Sequence, residues 1–340
     1  MGLLAASFDY RARSRRLQKK LAASGNGAAI TGGLSAVGAN SVYFGEESAP
    51  AIIVFTPDRS FLYSTGGENP AFDETIPYRD FRKHLPKLLK KEKARKVGVD
   101  ERSDLSGITF FLKKHKAEPA PFGRKIEELR EIKDTGEIRL IQQAARASAE
   151  IIDAQRPFGK TEHRVAGEME LAARTRGFAL DAFPPIVASG ANSASPHALV
   201  SPKKILPGDC VVVDAGVRVG WYCGDCSRTF YEGKDKQIRD AVEAVKEAKK
   251  AAERKAKPGT RGNALAEAAQ RVIHEYGFGD QSFRRAGLSL GHQIGLRVHE
   301  GRGLEKVVLA KGMAFTIEPG IYIPKKFGTR FEDVFCLPAP

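Results

Sequence analysis

Two apolar segments in the C-terminal half are each interrupted by one carboxylate, and this feature restricts the fold more than any other. Asp214 follows three valines in VVVDAG, and Glu318 follows the apolar start of FTIEPG. An ionised side chain inside an apolar strand is costly to bury unless it has partners. Metal coordination is one way to offset that cost, so the sequence predicts strands that carry ligands for a metal.

Three more potential ligands lie in the same half of the chain: Asp225 in GDCSRTF, His292 in SLGHQIGL and Glu332 in RFEDVF. Asp225 lies 11 positions after Asp214 (225 − 214), which fits two adjacent antiparallel strands joined by a hairpin at 219–220. Both side chains then face one site. A set rich in oxygen ligands suits Mn, Co, Zn or Fe, and several carboxylates can bridge two cations about 3.5–4 Å apart.

The order of predicted elements divides the chain into two parts. Strands and helices alternate over about the first 120 residues, which predicts an α/β unit. Pro119, Pro121 and Gly123 punctuate the chain and predict a linker, and the helical segment KIEELREIK follows them. Helices and strands then come in groups, as in an α+β domain built from two half-units. The predicted division is an N-terminal domain at 1–122, a linker helix at 123–134 and a catalytic domain at 135–340.

The chain is basic, with 55 Lys and Arg against 41 Asp and Glu and a net charge of +14. Its densest basic run, KHLPKLLKKEKARK at 83–96, has leucines at helical spacing. We interpret the lysines as the solvated face of an amphipathic helix. No aromatic residue interleaves them as a base-stacking surface requires, so a nucleic-acid partner is not expected.

The cysteines and the N-terminal sequence indicate the cellular compartment in which the protein is expected. Cys223 and Cys226 form a single CxxC without a second Cys or His pair, so we interpret them as structural thiols. Four cysteines in 340 residues are typical of a reducing compartment. The first residues lack the pattern of a signal peptide, and the sequence contains no apolar run of membrane-spanning length. A cytoplasmic protein with no membrane association is expected.

Several longer phrases carry a family resemblance. FPPIVASGANSASPHA, VVVDAGVRVGWYCGDCSRTF, GHQIGLRVHEG and FTIEPGIYIP resemble the creatinase/aminopeptidase superfamily of metallopeptidases, especially prolidase and aminopeptidase P. NSVYFG and KIEELREIKDTGEIRLIQQAARAS are similar to the family's N-terminal domain and to the entry into its catalytic domain. The resemblance implies an α/β creatinase-like domain followed by an α+β pita-bread domain with pseudo-twofold duplicated halves.

The resemblance also implies two divalent metal ions, with Mn or Co preferred and Zn or Fe as alternatives. The family's ligand order of Asp, Asp, His, Glu and Glu falls on five residues of this chain. Asp214 would chelate one ion. Asp225 and Glu332 would bridge both. His292 and Glu318 would hold the other, and Glu318 would also take a proton from the bridging water.

The family's substrate-side residues match His197, His299 and Arg330. The two histidines would bind the scissile carbonyl and pass protons, and Arg330 would orient Glu332 or bind a substrate carboxylate. Two positions depart from the common pattern. Leu288 stands where a third substrate-binding histidine is frequent, and Gln293 replaces a common glycine.

The resemblance implies hydrolysis of X-Pro bonds in dipeptides or short peptides by a metal-bridged hydroxide, in a chain that pairs as a homodimer. One alternative is an aminopeptidase P, which removes the residue before proline from longer peptides. Another is a non-catalytic pita-bread protein that binds peptides or nucleic acid. The intact set of five ligands argues against the second alternative, because a binding module does not need it.

Overall fold

The computed structural model describes residues 8–33, 38–45 and 49–339. The chain divides into two compact units, and the boundary falls between Arg130 and Glu131, within the predicted connector. In the described residues no helix is both long enough and apolar enough to cross a bilayer.

The first unit contains a sheet with strand order β4-β3-β2-β1-β5-β6. β2 and β3 are buried at every residue, as expected where a sheet is covered on both faces. The helices are α1 Tyr10–Ala22, α2 Ala39–Gly45, α3 Phe81–Lys91, α4 Ile108–Lys114 and α5 Gly123–Arg130, and the strands are β1 Ala28–Gly33, β2 Ala51–Phe55, β3 Ser60–Ser64, β4 Glu74–Pro77, β5 Lys96–Val99 and β6 Glu118–Pro121.

Helix α3 carries the basic run. Leu85, Leu88 and Leu89 are buried in the core of the first unit, whereas Lys87 and Lys90 are exposed. The predicted amphipathic helix is confirmed, since its lysines form the face opposite the core.

The predicted linker at Pro119 and Pro121 is wrong for those residues. They belong to β6, which pairs in parallel with β5. Proline cannot donate a hydrogen bond to a neighbouring strand, so it is tolerated only at an edge or at the start of a strand. β6 is an edge strand, and the prolines that suggested a linker are compatible with that position.

The second unit contains a seven-stranded antiparallel sheet with strand order β13-β12-β14-β17-β11-β8-β7. An Asp134–Glu137 capping box starts α6. The helices are α6 Thr135–Asp153, α7 Glu162–Thr175, α8 Lys236–Lys255 and α9 Gly262–Glu275, and the strands are β7 Ile186–Ser189, β8 Val211–Ala215, β9 Arg218–Val219, β10 Tyr222–Cys223, β11 Cys226–Phe230, β12 His292–Gln293, β13 Glu300–Gly303, β14 Ala314–Ile317, β15 Gly320–Ile323, β16 Phe327–Arg330 and β17 Glu332–Cys336.

A long hairpin fixes the register of β8 and β11. Its tip is a two-residue turn at Gly220 and Trp221, with φ of 53° and 72°, between the paired residues Val219 and Tyr222. Two consecutive positive φ angles match the turn whose twist suits antiparallel strands. The hairpin predicted from the spacing of the two aspartates is therefore confirmed, and its turn lies one residue later than the predicted 219–220.

Candidate metal centre

Neighbouring strands place two carboxylates in one row across the sheet. In β11, Ser227 pairs with Asp214 of β8 on one side and with Glu332 of β17 on the other. Directly opposite residues of antiparallel strands share a face. Asp214 and Glu332 therefore point to the same side of the sheet, with Ser227 between them.

Two more carboxylates extend this row. Asp225 precedes Ser227 by two residues, and the period of two along a strand puts it on the same face. Glu318 follows β14, whose Ile317 pairs with Asp333, so the continuing register sets Glu318 beside Glu332. The four carboxylates thus converge because each lies at or near one end of its strand, and β14, β17, β11 and β8 are consecutive in the sheet with these ends side by side.

His292 completes the cluster from β12. Its Nε2 lies 3.5 Å from Asp225 Oδ2 and 3.5 Å from Glu318 Oε1. Ligand atoms of Asp225, His292 and Glu332 all lie within 4.8 Å of one another. The backbone N–H of His292 donates to Thr316 Oγ1 at 3.1 Å, and this bond fixes β12 against β14.

Burial and mutual repulsion raise the pKa values of the clustered carboxyl groups. Burial raises the pKa of Asp225 well above its ordinary value, and the charges of Asp214 and Glu318 raise it further. Burial and the charges of Asp225, Glu318 and Asp214 raise the pKa of Glu332 in the same way. Burial also raises the pKa of Glu318, although His292 and Arg330 oppose the shift. A cation among these groups would relieve their repulsion.

Arg330 is the buried cation of the site. Its Nη2 donates to Asp214 Oδ2 at 2.5 Å, and its Nε donates to Ser227 Oγ at 2.9 Å. Ser227 in turn donates to Glu332 Oε2 at 2.7 Å. Only 3% of Arg330 is exposed, so the guanidinium orients Asp214 directly and Glu332 through Ser227.

One cavity of about 450 Å³ is lined by all eight residues that the sequence analysis assigned to metal or substrate binding. Part of its wall is apolar and was not anticipated, except for Leu288: this part consists of Phe183, Ile186, Leu288 and Val298. The eight residues are His197, Asp214, Asp225, His292, His299, Glu318, Arg330 and Glu332.

Residues 139–338 match metallopeptidase family M24. The chain belongs to this family. It is 34% identical to the Xaa-Pro dipeptidase of Pyrococcus furiosus over 312 residues, which cover 87% of this chain and 88% of the relative. The Xaa-Pro dipeptidase of Pyrococcus horikoshii is 35% identical, with 87% of each chain covered.

Solved structures agree with this membership in M24. The prolidase of Pyrococcus furiosus superposes with a TM-score of 0.84 at 30% identity, covering 95% of this chain and 96% of that one. The X-Pro aminopeptidase of Thermotoga maritima gives a TM-score of 0.81 at 31% identity, covering 95% of each. The fold class expected from the resemblance is confirmed, and the chain is a metallopeptidase.

The thiols of the CxxC segment face different surroundings in this M24 domain. Cys223 Sγ lies 3.8 Å from Leu296 O, and Cys226 Sγ lies 4.0 Å from Asp333 Oδ1. Burial raises the pKa of Cys223 to about 12. Both thiols are buried and their sulfurs contact different groups, which agrees with the structural interpretation of this pair.

The loop that carries His197 is held by a fully buried carboxylate that the sequence did not reveal. Glu162 Oε1 accepts hydrogen bonds from Ser189 N, Ser189 Oγ and Asn192 Nδ2 at 2.8, 2.7 and 3.1 Å. Its Oε2 accepts from Ser201 N and Ser201 Oγ at 3.1 and 2.5 Å. Glu162 therefore ties together both ends of the segment from 189 to 201.

Replacing Glu162 by Ala is expected to destabilise the M24 domain by about 3 kcal/mol, because buried donors lose a charged acceptor. The corresponding fall in Tm is about 6–12 °C. Activity should fall as well, since the His197 loop loses its anchor. Thermal unfolding measures the first effect. Glu168→Ala on the same helix is the control, because Glu168 makes surface ion pairs with Lys160 and Arg164 worth under about 1 kcal/mol. An equal loss of stability in both variants would contradict the role given to Glu162.

Proposed function

We propose that this M24 metallopeptidase hydrolyses X-Pro dipeptides at a centre of two divalent cations. The observation that carries the proposal is the convergence of four carboxylates and His292 on one cavity with an apolar wall. Its Xaa-Pro dipeptidase relatives supply the substrate class.

The donor set fits divalent cations. Asp214 Oδ1 and Glu332 Oε1 are buried and accept no hydrogen bond within the described residues, which is rare for carboxylate oxygens unless an ion occupies the space beside them. Asp214, Asp225, His292, Glu318 and Glu332 would hold the two cations. When bound, such cations polarise a substrate carbonyl and lower the pKa of water.

Side chains of the protein would carry out the proton transfers. Glu318 is the proposed base. Thr316 Oγ1 donates to its Oε1 at 3.2 Å, so Oε2 is the oxygen that takes the proton from the attacking water. Burial raises the pKa of this carboxyl, and a base with a raised pKa is better matched to this task than an ordinary glutamate.

His299 and His197 are proposed to bind the scissile carbonyl and to relay the proton taken up by Glu318 to the leaving proline nitrogen, with the imidazole accepting it at one ring nitrogen and donating from the other. The His299 ring lies 3.9 Å from the ring of His292, centroid to centroid. Burial lowers the pKa of His299 to about 4, and the neighbouring His292 and His197 lower it in the same direction. The imidazole is then neutral at pH 7, so it can donate one hydrogen bond and accept another.

We propose that the apolar wall of the cavity binds the proline ring of the substrate. Phe183, Ile186, Leu288 and Val298 offer hydrocarbon contact beside the acidic cluster. Arg330 is buried with its donors engaged, so we assign it the orienting role.

The test compares a Met-Pro dipeptide with an X-Pro tripeptide, using metal-stripped protein with and without added Mn²⁺ or Co²⁺. Metal-dependent cleavage of the dipeptide is the expected result, with Met-Leu as the control that is left intact. Release of the first residue from the tripeptide alone would replace the proposal by an X-Pro aminopeptidase, which the similarity to the Thermotoga maritima structure makes the one serious alternative. Tight metal binding without cleavage of either peptide would overturn both.

We further propose Mn²⁺ or Co²⁺ as the working ions, a cytoplasmic location and a homodimer. Free cysteines support a reducing compartment. Two-fold dimers are the commonest assembly of soluble chains. Sedimentation should give a species of twice 37.0 kDa, and a monomer at all concentrations would rule the dimer out.

A further inference from the structure

The segment that enters the second unit lies along β13, the edge strand of the large sheet. Glu131 Oε2 lies 3.1 Å from Arg302 Nη2, and Lys133 Nζ lies 3.2 Å from Glu300 Oε1. The first ion pair joins residues 131 and 302, and the second joins residues 133 and 300. The two segments therefore run antiparallel to each other. We call these four residues the connector clamp.

The two ion pairs of the clamp differ in burial. The side chains of Lys133 and Glu300 are 1% and 4% exposed, whereas in the other pair Glu131 is 7% exposed and Arg302 is 47% exposed. Burying an ammonium and a carboxylate costs both groups their hydration, and the attraction between them often fails to exceed that cost. The Lys133–Glu300 pair is therefore poorly explained as a device for stability.

Glu300 closes the loop that carries His299. Its Oε2 accepts from the backbone N–H of Arg297 at 3.4 Å. Its Oε1 rests on Gly295, where an added Cβ would lie only 2.1 Å from that oxygen. The carboxylate thus fixes the loop from 295 to 300 from inside, and Val298 and His299 of this loop line the cavity.

A second contact joins the same strand to the metal-binding histidine. The side chain of Gln293, which is fully buried, donates from Nε2 to Arg302 O at 2.8 Å. Gln293 follows His292 directly. The positions of β12 and β13 are therefore coupled, and a shift of β13 would change the distance between the His292 and His299 rings.

We propose that the buried Lys133–Glu300 pair positions His299 for catalysis. The pair acts through the loop and touches no substrate, so Lys133 and Glu300 are positioning residues. This inference rests on the proposed function for the role of His299 in the reaction. The geometry of the clamp itself does not depend on the substrate.

The test uses Lys133→Met, the double variant Lys133→Met/Glu300→Met, and Lys133→Arg as the conservative rescue. The single variant removes the buried cation that faces the carboxylate of Glu300, so its Tm should fall by about 10 °C. The double variant removes both charges and should recover a Tm within about 5 °C of the parent. Its kcat should nevertheless fall about 10- to 100-fold with KM within about 3-fold, because a misplaced histidine affects the chemical step. Lys133→Arg should recover most of kcat.

Arg302→Gln is the matched control on the same strand. It breaks the pair whose cation is exposed to solvent, so kcat should stay within about 2-fold of the parent. A fall as large as that of the double variant would show that any loosening of the edge strand has this effect, and it would overturn the role of the buried pair.

Hydrogen exchange of the parent and the double variant separates the clamp from the proposed function. Amides of 294–303 should exchange about 10-fold faster in the double variant, while those of β8 and β11 keep their rates. Unchanged exchange, or a kcat within 2-fold of the parent, overturns the proposal. If the parent cleaves no X-Pro dipeptide, the proposed function fails. The clamp is then judged by exchange and by the imidazole NMR signals of His299, which must shift in the double variant.

Discussion

Glu332→Gln is expected to lower kcat/KM for an X-Pro dipeptide by about 1,000-fold or more, while circular dichroism and sedimentation remain those of the parent. The expected size follows from the several kcal/mol of charge stabilisation that a metal centre supplies. The amide carries no charge and would hold divalent cations less tightly than the carboxylate of Glu332. The amide oxygen of Gln can still accept the hydrogen bond from Ser227 Oγ, which lies 2.7 Å from Glu332 Oε2 in the parent. The fold should therefore be retained.

The same substitution should raise the Tm of the metal-free protein. In that state burial and the charges of Asp225, Glu318 and Asp214 raise the pKa of Glu332 above its unfolded value. A carboxyl with a raised folded pKa favours folding while it is protonated, and this contribution is lost as the pH rises through the folded pKa. The raised pKa of Glu332 therefore destabilises metal-free protein at pH 8, where the carboxyl of the unfolded chain is ionised. Gln removes that penalty, and its advantage in Tm should shrink as the pH falls toward 5.

Asp333→Asn is the matched control for Glu332→Gln. It changes the adjacent acid to its amide, but alternation along β17 turns Asp333 to the opposite face. There it pairs with Arg228 and Lys249 at 2.8 and 2.5 Å. We expect activity within a few-fold of the parent and a slightly lower Tm. Full activity in Glu332→Gln, or inactivity in both variants, would refute the proposed ligand role of Glu332.

The convergence of the acids could be predicted from the sequence only in part. The 11-residue interval between Asp214 and Asp225 specifies a hairpin, because side chains alternate along strands and a two-residue turn fixes the register. No such local rule brings Glu318 and Glu332 to the same place. Their position depends on long-range pairing of β14, β17 and β11, and here the family resemblance carried the prediction.

Short strands and buried ion pairs were missed for physical reasons. β12 and β13 contain two and four residues, too few for a hydrophobic period to be visible. Lys133 and Glu300 look like ordinary surface charges in sequence. Their burial results from contact between segments 167 positions apart (300 − 133), and nothing in either local sequence indicates the other.

Ser227 is the residue that sequence reasoning could have found. It lies two positions after Asp225 on a predicted strand, so alternation places it on the ligand face. A serine at that point can receive a hydrogen bond from Arg330 and donate one to Glu332. Polar neighbours of a ligand at a spacing of two are therefore informative in strands of this kind.

Removal of metal is expected to lower kcat/KM for X-Pro dipeptides by about 1,000-fold or more and to lower Tm by about 10 °C relative to protein saturated with Mn²⁺. A ligand present at about 1,000 times its Kd stabilises the folded state by about 4 kcal/mol, and each kcal/mol corresponds to about 2–4 °C for a domain of this size. Thermal unfolding after dialysis against a chelator, followed by titration with Mn²⁺, measures the shift without any substrate.

The metal-induced shift in Tm should grow with pH. In the metal-free site, burial and mutual repulsion raise the pKa of Asp225, Glu318 and Glu332, so these groups hold protons at a pH where ordinary carboxylates have lost them. Cations must displace those protons, and binding weakens as the pH falls. We expect a larger shift at pH 8 than at pH 5 in the parent and in Asp333→Asn, and a much smaller one in Asp225→Asn. Equal Tm values with and without Mn²⁺ at pH 8 would mean that the four carboxylates do not form a metal centre, because relief of their repulsion is what ties metal binding to the stability of the fold.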